Sequence, residues 1–176
     1  MSKKILLLAG PTACGKSKLA ISLAKKINGE IINADSMQVY KEFSILSSRP
    51  RLNEMKKIKH HLYGFVSVKK YFSAGDWLKE VKKKVSLCIK NNKIPIIVGG
   101  TGLYFNTITK GISKIPDIDN KTRKKVRNLF QKLGYKRFYK KLLTIDPKVK
   151  NKIMATDSQR CQRAYEVKIK TKKSLF

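Results

Sequence analysis

The sequence predicts an α/β fold built around a parallel sheet, followed by a basic and mainly helical region. Two short apolar runs, residues 5–9 and 94–98, each lead into glycine, as buried parallel strands of α/β proteins do. Segments between these runs repeat apolar residues at helical spacing. From Lys121 onward the pattern stays helical and carries 19 basic but only 3 acidic residues. We therefore expect an α/β core over residues 1–116 and a basic helical region over residues 117–176.

The elements of the core follow one another as strand, loop, helix and strand. After the first strand comes a glycine loop, and then a helix over residues 17–27, which Asn28-Gly29 ends. Its apolar face is formed by Leu19, Ala20, Leu23, Ala24 and Ile27. Residues 30–34 (EIINA) predict a second strand. A longer helix over residues 74–89 has Ser73 as its N-cap, and residues 94–100 (IPIIVGG) predict a buried parallel strand that ends in a glycine pair.

Two amphipathic helices are expected in the basic region. An apolar stripe formed by Val126, Leu129, Phe130 and Leu133 lies opposite Arg123, Lys124 and Arg127. A second helix, begun by Asp157 or Ser158, would bring Gln159 and Arg163 to one face, with Gln162 and Glu166 beside it. Arg160 and Arg163 would then both reach backbone phosphates of a nucleic acid, although a solvated basic helix has the same pattern.

Charge is the strongest feature of the composition. The chain has 41 basic and 11 acidic residues, a net charge of +30, which attracts polyanions. A lysine-rich proteome is an alternative source of this excess, because only seven of the 41 are arginine. No apolar run is long enough to span a membrane, and no signal peptide is recognisable, so we expect a cytoplasmic protein. Cys14, Cys88 and Cys161 are too far apart to suggest zinc-ligand spacing, and we expect reduced thiols.

Residues 10–17 (GPTACGKS) have the spacing of a phosphate-binding P-loop, Gly-x-x-x-x-Gly-Lys-Ser, between a predicted strand and a predicted helix. Glycines let backbone N–H groups turn toward an anion, and the helix N-terminus adds positive potential. Lys16 would neutralise phosphate charge, and the Ser17 hydroxyl would ligate Mg²⁺. The loop alone leaves open whether the bound compound is ATP, GTP or another diphosphate.

Two further motifs follow predicted strands, at the sheet edge where open α/β folds place their chemistry. The segment DSMQVY begins with Asp35, whose carboxylate would accept a proton from a nucleophile or orient it. The segment GGTGLY holds Thr101 between glycines, where its hydroxyl would lie beside the phosphates. A helix N-cap or loop role for Asp35, and a plain turn at Thr101, are the alternatives.

Five motifs, GPTACGKS, DSMQVY, HHL, GGTGLY and DSQRCQRAYEV, occur in this order along the chain. They resemble the tRNA dimethylallyltransferases, also called tRNA isopentenyltransferases, over essentially the whole chain. The resemblance implies a P-loop NTPase-like core with a tRNA-binding helical region. It also implies transfer of the dimethylallyl group from dimethylallyl diphosphate to the exocyclic N6 amine of the adenosine 3′-adjacent to the anticodon, in tRNAs that read codons beginning with U, with Mg²⁺ assisting.

The same resemblance implies roles for individual residues. The catalytic candidates are Asp35, Thr101 and Lys16, with Asp35 accepting or orienting the amine proton. The diphosphate would bind the loop residues Gly10, Pro11, Thr12, Ala13, Cys14, Gly15, Lys16 and Ser17, and Ser17 would ligate the metal. The residues expected to contact tRNA are Asp35, Ser36, Met37, Gln38, Thr101, Arg123, Gln159, Arg160, Cys161, Gln162 and Arg163. We expect a monomer whose partners are the anticodon stem-loop of tRNA and dimethylallyl diphosphate.

Several features stand apart from this pattern. Neighbouring histidines on a regular element point to opposite sides, so we expect His60 and His61 to serve structure and not to share a metal. Cys14 stands where serine is more frequent in the family. Residues 42–50 (EFSILSSRP) lack the expected Gly-Thr-Ala-Lys-Pro run. Family members continue for roughly another hundred residues, a domain-sized length, so the helical region is expected to be incomplete.

Two other functions stay open. The P-loop by itself also fits a small-molecule or nucleotide kinase. The basic C-terminal third and the short chain also fit an inactive tRNA-binding fragment.

Overall fold

A computed structural model of the chain describes residues 4–56, 58–112, 115 and 117–176. The chain forms two compact units, Met1–Ile112 and Ser113–Phe176. The sequence prediction placed this boundary between residues 116 and 117, and Pro116 lies outside the described residues, as do residues 1–3. Within the described ranges, no helix has the length and apolar character that crossing a membrane requires.

The first unit is a four-stranded parallel sheet with helices; the sequence predicted the parallel sheet and three of its strands. Its elements in chain order are β1 (Leu6–Ala9), α1 (Lys16–Lys26), β2 (Gly29–Asn33), α2 (Leu52–Met55), β3 (His60–His61), α3 (Ala74–Lys90), β4 (Ile94–Gly99) and α4 (Gly102–Lys110). The strand order is β1-β4-β2-β3, and every pair is parallel. The predicted α/β class and the parallel direction of the sheet are therefore confirmed.

Side chains along the two central strands, β2 and β4, point alternately to the two faces of the sheet. The core of the first unit is therefore divided between these faces. Ile32 and Ile97 belong to the cluster that contains Trp77 of α3, whereas Ile31 and Ile96 pack with residues of α1. All four isoleucines are at most 1% exposed. Successive side chains of a strand point to opposite faces, which is why both central strands read as continuous apolar runs.

The carboxyl ends of β2 and β4 lie unusually close together. A Cβ on Gly99 would lie 2.1 Å from the carbonyl oxygen of Ala34, so only glycine fits there. The backbone N–H of Ala34 donates to Val98 (2.7 Å), and that of Thr101 donates back to Ala34 (3.2 Å). These contacts bring the segments after both strands to a common edge.

Helix α3 begins with a capping box at Ser73. The Ser73 hydroxyl accepts from the backbone N–H of Asp76 (3.2 Å), and the Asp76 carboxylate accepts from the Ser73 backbone N–H (3.1 Å). We expect Ser73→Ala to lower the free energy of unfolding by about 1 kcal/mol, because it leaves an N-terminal helix donor unsatisfied. Urea denaturation measures the change. Ser86→Ala, at an exposed position in the same helix, is the control, and an equal loss there would refute the capping contribution.

The second unit is helical, as predicted. It contains α5 (Asn120–Ile145), a short 3₁₀ turn (Pro147–Val149) and α6 (Ser158–Thr171). Helix α5 consists of two segments joined at Gly134, whose φ of 68° interrupts the helix. The predicted apolar stripe is confirmed: Val126 is buried, and Leu129, Phe130 and Leu133 pack against the same core cluster.

Candidate functional site

The loop between β1 and α1 has the backbone of an anion cradle. Ala13 (φ 66°) and Gly15 (φ 82°) both adopt the left-handed conformation, and Gly15 is the N-cap of α1. Alternating backbone conformations of this kind turn successive N–H groups toward one point, and the helix N-terminus adds positive potential. The predicted loop residues Gly10, Pro11, Thr12, Ala13, Cys14, Gly15, Lys16 and Ser17 are therefore brought together by a local turn.

Lys16 folds back over this loop. Its ammonium group donates to the carbonyl oxygen of Pro11, and the Cys14 sulfur lies 3.7 Å from the same nitrogen. A carbonyl and a thiol are weak partners for an ammonium compared with an anionic phosphate oxygen. The Lys16 side chain is thus held beside the loop, and a bound diphosphate would exchange these contacts for charged ones.

Asp35 follows β2 directly, and its carboxylate closes a turn with one oxygen. Oδ1 accepts from the backbone N–H groups of Met37 (2.9 Å) and Gln38 (3.4 Å). The hydrogen bonds to this carboxylate within the described residues all go to Oδ1, which leaves Oδ2 for a ligand. The turn role and the catalytic role considered from the sequence are therefore compatible, because each uses a different oxygen.

Asn33 orients Asp35 through hydrogen bonds. The sequence analysis did not identify Asn33 as a site residue. Its buried amide donates to the carbonyl oxygens of Asp35 (3.0 Å) and Leu62 (3.1 Å), and its Oδ1 accepts from the Asp35 backbone N–H (2.9 Å). The indole N–H of Trp77 in turn donates to the backbone carbonyl of Asn33 (2.9 Å). The available signal was a polar residue at the end of an apolar strand, which a buried strand seldom contains without a hydrogen-bonding purpose.

We expect Asn33→Ala to lower the free energy of unfolding by about 3 kcal/mol, because one buried and two partly buried backbone groups lose their partner. Urea denaturation measures this loss. Asn106→Ala, at an exposed position of α4, provides the control and should change stability little. If both variants were equally stable, the hydrogen bonds of Asn33 would not be what holds the Asp35 turn.

Thr101 connects the end of β4 to the end of β2. Its hydroxyl accepts from the backbone N–H of Ser36 (2.9 Å) and donates to the Ser36 hydroxyl (3.3 Å). Thr101 also occupies the N-cap position of α4 without a capping side-chain bond. The structure thus brings Thr101 and the Asp35 segment together, as their positions after parallel strands predicted.

An open cleft of about 1250 Å³ in the first unit is lined by residues of the phosphate loop and by Asp35. Part of its wall comes from the chain after Gln38, including Ser44, Arg49 and Tyr63. Gln38 holds that wall in place, since its amide donates to the carbonyl oxygen of Ser47 (2.9 Å). Residues 42–50, which depart from the family pattern, therefore contribute directly to the cleft.

Two tyrosines near Asp35 keep their protons at neutral pH. Burial, together with the negative charge of Asp35, raises the pKa of Tyr104 to about 12. Burial and the charge of Asp35 also raise the pKa of Tyr63 well above its usual range. The Tyr104 ring stacks on Trp77 with 4.1 Å between ring centroids. Both phenols therefore stay neutral beside Asp35.

The predicted tRNA-contacting residues of the second unit lie on α5 and α6. Asp157, one of the two helix starts considered from the sequence, caps α6 by accepting from the Arg160 backbone N–H (3.1 Å). Gln159 and Arg160 are exposed, whereas Gln162, Arg163 and Arg123 are half-buried. Arg160 pairs with Asp157 (3.1 Å) and Arg163 with Glu166 (3.4 Å), both one turn apart on α6. The Arg160–Asp157 pair is exposed enough to contribute little stability, so a phosphate can replace Asp157 there, whereas Glu166 is buried.

One predicted contact needs correction. Cys161 is 1% exposed and packs in the core cluster of the second unit with Phe138 and Leu142. Its thiol donates to the carbonyl oxygen of Met154 (3.5 Å). The helical period turns this position inward, so we assign the Cys161 side chain to the core and not to tRNA contact.

His60 and His61 face opposite sides of the sheet, in agreement with the sequence prediction. His60 pairs with Ile31 of β2 and His61 with Ile32, and these isoleucines belong to different core clusters. The His60 ring lies within hydrogen-bonding distance of the carbonyl oxygen of Ile58 (2.6 Å), and His61 contacts the Glu30 carboxylate (2.6 Å). The two rings therefore do not share a ligand.

Comparison with known protein families bears on the whole chain. The family model described as IPP transferase matches residues 38–176. A tRNA dimethylallyltransferase of Pelagibacter ubique (strain HTCC1062) is 56% identical over 173 residues, which cover 98% of this chain and 55% of that protein. One from Rickettsia massiliae (strain Mtu5) is 47% identical over 174 residues, which cover 99% of this chain and 48% of that protein. The chain spans about half the length of these curated relatives.

Solved structures show the same likeness in three dimensions. A eukaryotic dimethylallyltransferase acting on tRNA matches with a TM-score of 0.84 and 34% identity, over 98% of this chain and 43% of that chain. The tRNA isopentenylpyrophosphate transferase from Bacillus halodurans matches with a TM-score of 0.63 and 33% identity, over 99% of this chain and 58% of that chain. The P-loop NTPase-like fold of these proteins is the one that the sequence predicted.

Proposed function

Because the chain belongs to the IPP transferase family, we propose that it carries the catalytic core of a tRNA dimethylallyltransferase. The reaction moves the dimethylallyl group from dimethylallyl diphosphate to the exocyclic N6 amine of the adenosine 3′-adjacent to the anticodon, in tRNAs that read codons beginning with U. The observation that carries the proposal is the cleft in which an anion cradle and the open Oδ2 of Asp35 occur together. We further propose a monomer that acts in the cytoplasm.

The phosphate loop would stabilise the leaving group. An allylic carbon becomes electrophilic when the bond to its diphosphate oxygen weakens, and that bond breaks as negative charge accumulates on the diphosphate. Loop N–H groups and the Lys16 ammonium would stabilise this negative charge as it develops. The loop thus has a use in which no phosphoryl group is transferred and inorganic diphosphate leaves.

Asp35 would accept the proton that the nucleophile loses. The N6 amine of adenine is weakly nucleophilic, and forming the new C–N bond requires loss of one amine proton. Oδ2 of Asp35 would accept that proton, while Oδ1 stays bonded to the Met37 and Gln38 N–H groups and keeps the carboxylate oriented. Thr101, bonded to Ser36, would fix the segment that carries Asp35.

The donor atoms of the cleft fit Mg²⁺. The Ser17 hydroxyl and the Asp35 carboxylate both line it, and hard oxygen donors of this kind are the ligands that Mg²⁺ prefers. Ser17 would hold the ion together with diphosphate oxygens. Bound there, it would supply additional stabilisation of negative charge on the diphosphate.

The second unit would contact the sugar-phosphate backbone of tRNA. Its basic side chains on α5 and α6, among them Arg123, Arg160 and Arg163, support this role, as does its net charge. The target adenosine must leave its stack to react, and unpaired loop bases are the least costly to extrude. An anticodon stem-loop has both the phosphates and the unpaired base.

We expect tRNA binding to weaken steeply with salt, because each phosphate contact releases counterions. Arg160→Gln should reduce the slope of log K against log salt by about 1, with little change in fold. Filter binding of unmodified tRNA at several salt concentrations measures the slope. Lys82→Gln, an exposed position of α3, removes the same charge and is the control. Equal slopes for both variants would speak against a phosphate contact at Arg160.

The decisive experiment tests turnover directly. The purified chain is incubated with unmodified tRNA, dimethylallyl diphosphate and Mg²⁺, and nucleoside digests are examined by mass spectrometry. Adenosine that gains a dimethylallyl group supports the proposal. Bound tRNA without this product would indicate a non-catalytic tRNA-binding protein, and ATP-dependent phosphorylation of a small molecule would indicate a kinase.

A further inference from the structure

Glu30, His61 and Cys88 form a buried cluster that no step of the proposed reaction uses. Glu30 Oε2 lies 2.6 Å from His61 Nε2 and 3.4 Å from the Cys88 sulfur, and the sulfur lies 4.0 Å from His61 Nε2. Cys88 is fully buried, and the other two residues are each 6% exposed. A carboxylate, an imidazole and a thiol thus meet inside an otherwise apolar core.

Sheet geometry explains why these three meet. Glu30 and Ile32 are two residues apart on β2 and point to the same face, and His61 is the direct neighbour of Ile32 on β3. Glu30 and His61 are therefore diagonal neighbours across the two strands. Cys88 lies in the core cluster that covers this face, on the last turn of α3. Three separate elements deliver one donor atom each.

Such a set of groups is costly to bury without a purpose. The Glu30 carboxylate is buried and takes contacts from both neighbours. An apolar trio would fill the same space without desolvating a charge. The composition of the cluster therefore indicates a function other than packing.

We propose that Glu30, His61 and Cys88 bind a divalent metal ion of borderline softness, for which Zn²⁺ is the best match. Thiolate, imidazole and carboxylate are the three side-chain ligands that Zn²⁺ takes in proteins. One thiolate and one carboxylate neutralise the two charges of the ion, so the loaded site is electrically neutral, as a buried position requires. Binding would expel the thiol proton to solvent and leave the imidazole neutral.

The spacing of the donor atoms is close to that of a tetrahedral site. Metal–ligand lengths of zinc sites correspond to donor separations of roughly 3.3 to 3.8 Å. The distance from the Cys88 sulfur to Glu30, 3.4 Å, lies within this range, whereas the 4.0 Å distance from the sulfur to His61 must shorten slightly and the 2.6 Å contact between Glu30 and His61 must open. Among the described residues, these three are the ones that group in this way, so a water molecule or the second Glu30 oxygen would complete the coordination.

A metal ion here would stabilise one wall of the cleft. Strand β3 is only two residues long and lies at the edge of the sheet, next to β2 alone. It leads directly into Tyr63 and Gly64, which line the cleft. Joining β3 to β2 and α3 through one ion would restrain this short strand. The site is independent of the transfer reaction, and its test does not need turnover.

Cobalt substitution tests the site, because a thiolate bound to Co²⁺ gives a charge-transfer absorption in the near ultraviolet. The metal-stripped chain is prepared with Cys14→Ser, which removes the exposed thiol. We expect this background protein to bind about one equivalent of Co²⁺ or Zn²⁺, and to show the absorption and a raised melting temperature. Adding Cys161→Ser, which removes the other buried thiol, should leave all three signals, whereas Cys88→Ser should abolish them.

Two results would overturn the proposal. In the first, the folded background protein retains neither metal after desalting, which makes the cluster a hydrogen-bonded trio only. In the second, Cys88→Ser retains the metal with the same stoichiometry, which locates the ion elsewhere. If Cys88→Ser fails to fold, the metal content of the background protein still decides the question.

Discussion

Replacing Asp35 by asparagine is expected to reduce dimethylallyl transfer to tRNA by roughly 10² to 10⁴-fold, the range of general base catalysis. Asparagine keeps an oxygen that can accept from the Met37 and Gln38 N–H groups, so the turn after β2 should persist. The amide that replaces Oδ2 cannot accept the amine proton. Single-turnover formation of the modified adenosine, measured by mass spectrometry, gives the effect on chemistry, and filter binding shows whether tRNA is still bound.

Asp117→Asn is the matched control. It makes the same change of charge at an exposed carboxylate, and we expect transfer to remain close to that of the unaltered chain. Asp35→Asn with undiminished transfer would mean that another group, or water, takes the proton. Loss of tRNA binding together with transfer would instead assign Asp35 to substrate binding.

Replacing Lys16 by methionine is expected to weaken binding of dimethylallyl diphosphate and to reduce transfer by roughly 10² to 10³-fold, as for removal of one charge-stabilising donor. Methionine retains the apolar stem and cannot donate to phosphate oxygens. Calorimetric titration with dimethylallyl diphosphate, and with inorganic diphosphate, separates binding from turnover. Both ligands should lose affinity, because the lost contact is to the diphosphate and not to the prenyl chain.

Lys26→Met, at the exposed C-terminal end of the same helix, controls for the change of net charge. We expect near-normal affinity for both ligands. Equal affinities of the Lys16 and Lys26 variants would mean that the loop backbone binds the diphosphate without help from the ammonium group. Equal rates of transfer as well would remove Lys16 from the catalytic set.

Local sequence patterns predicted most of the fold of both units. Three of the four strands, the glycine loop and the longer helices follow from periodicity and from start and stop signals, and the Ser73 cap lies where the sequence placed it. Asp157 caps the last helix, one of the two starts that the sequence offered. Gly134 was not recognised as a helix interruption, because an isolated glycine inside a helical pattern is often tolerated. The P-loop was readable because its function requires fixed spacing within one continuous turn.

The roles of residues that act through partners distant in the sequence could not be predicted from local patterns. Asn33 gave only the weak signal of a polar residue ending an apolar strand, and its role depends on Leu62, 29 residues away. Cys161 lies inside a motif associated with tRNA contact, but its side chain turns into the core. Glu30, His61 and Cys88 are far apart along the chain, so no spacing rule connects them.

By itself, the sequence determined the parallel α/β class, the phosphate loop, the basic helical region and the likeness to tRNA dimethylallyltransferases. Each of these depends on residues that are close along the chain or on motifs in a fixed order. The tertiary structure alone decided which oxygen of Asp35 is open, that Asn33 orients it, and that a carboxylate, an imidazole and a thiol meet beneath α3. The physical reason is that hydrogen bonds, burial and ligand geometry depend on distances in space, and strand register and helix packing set those distances only when the chain is folded.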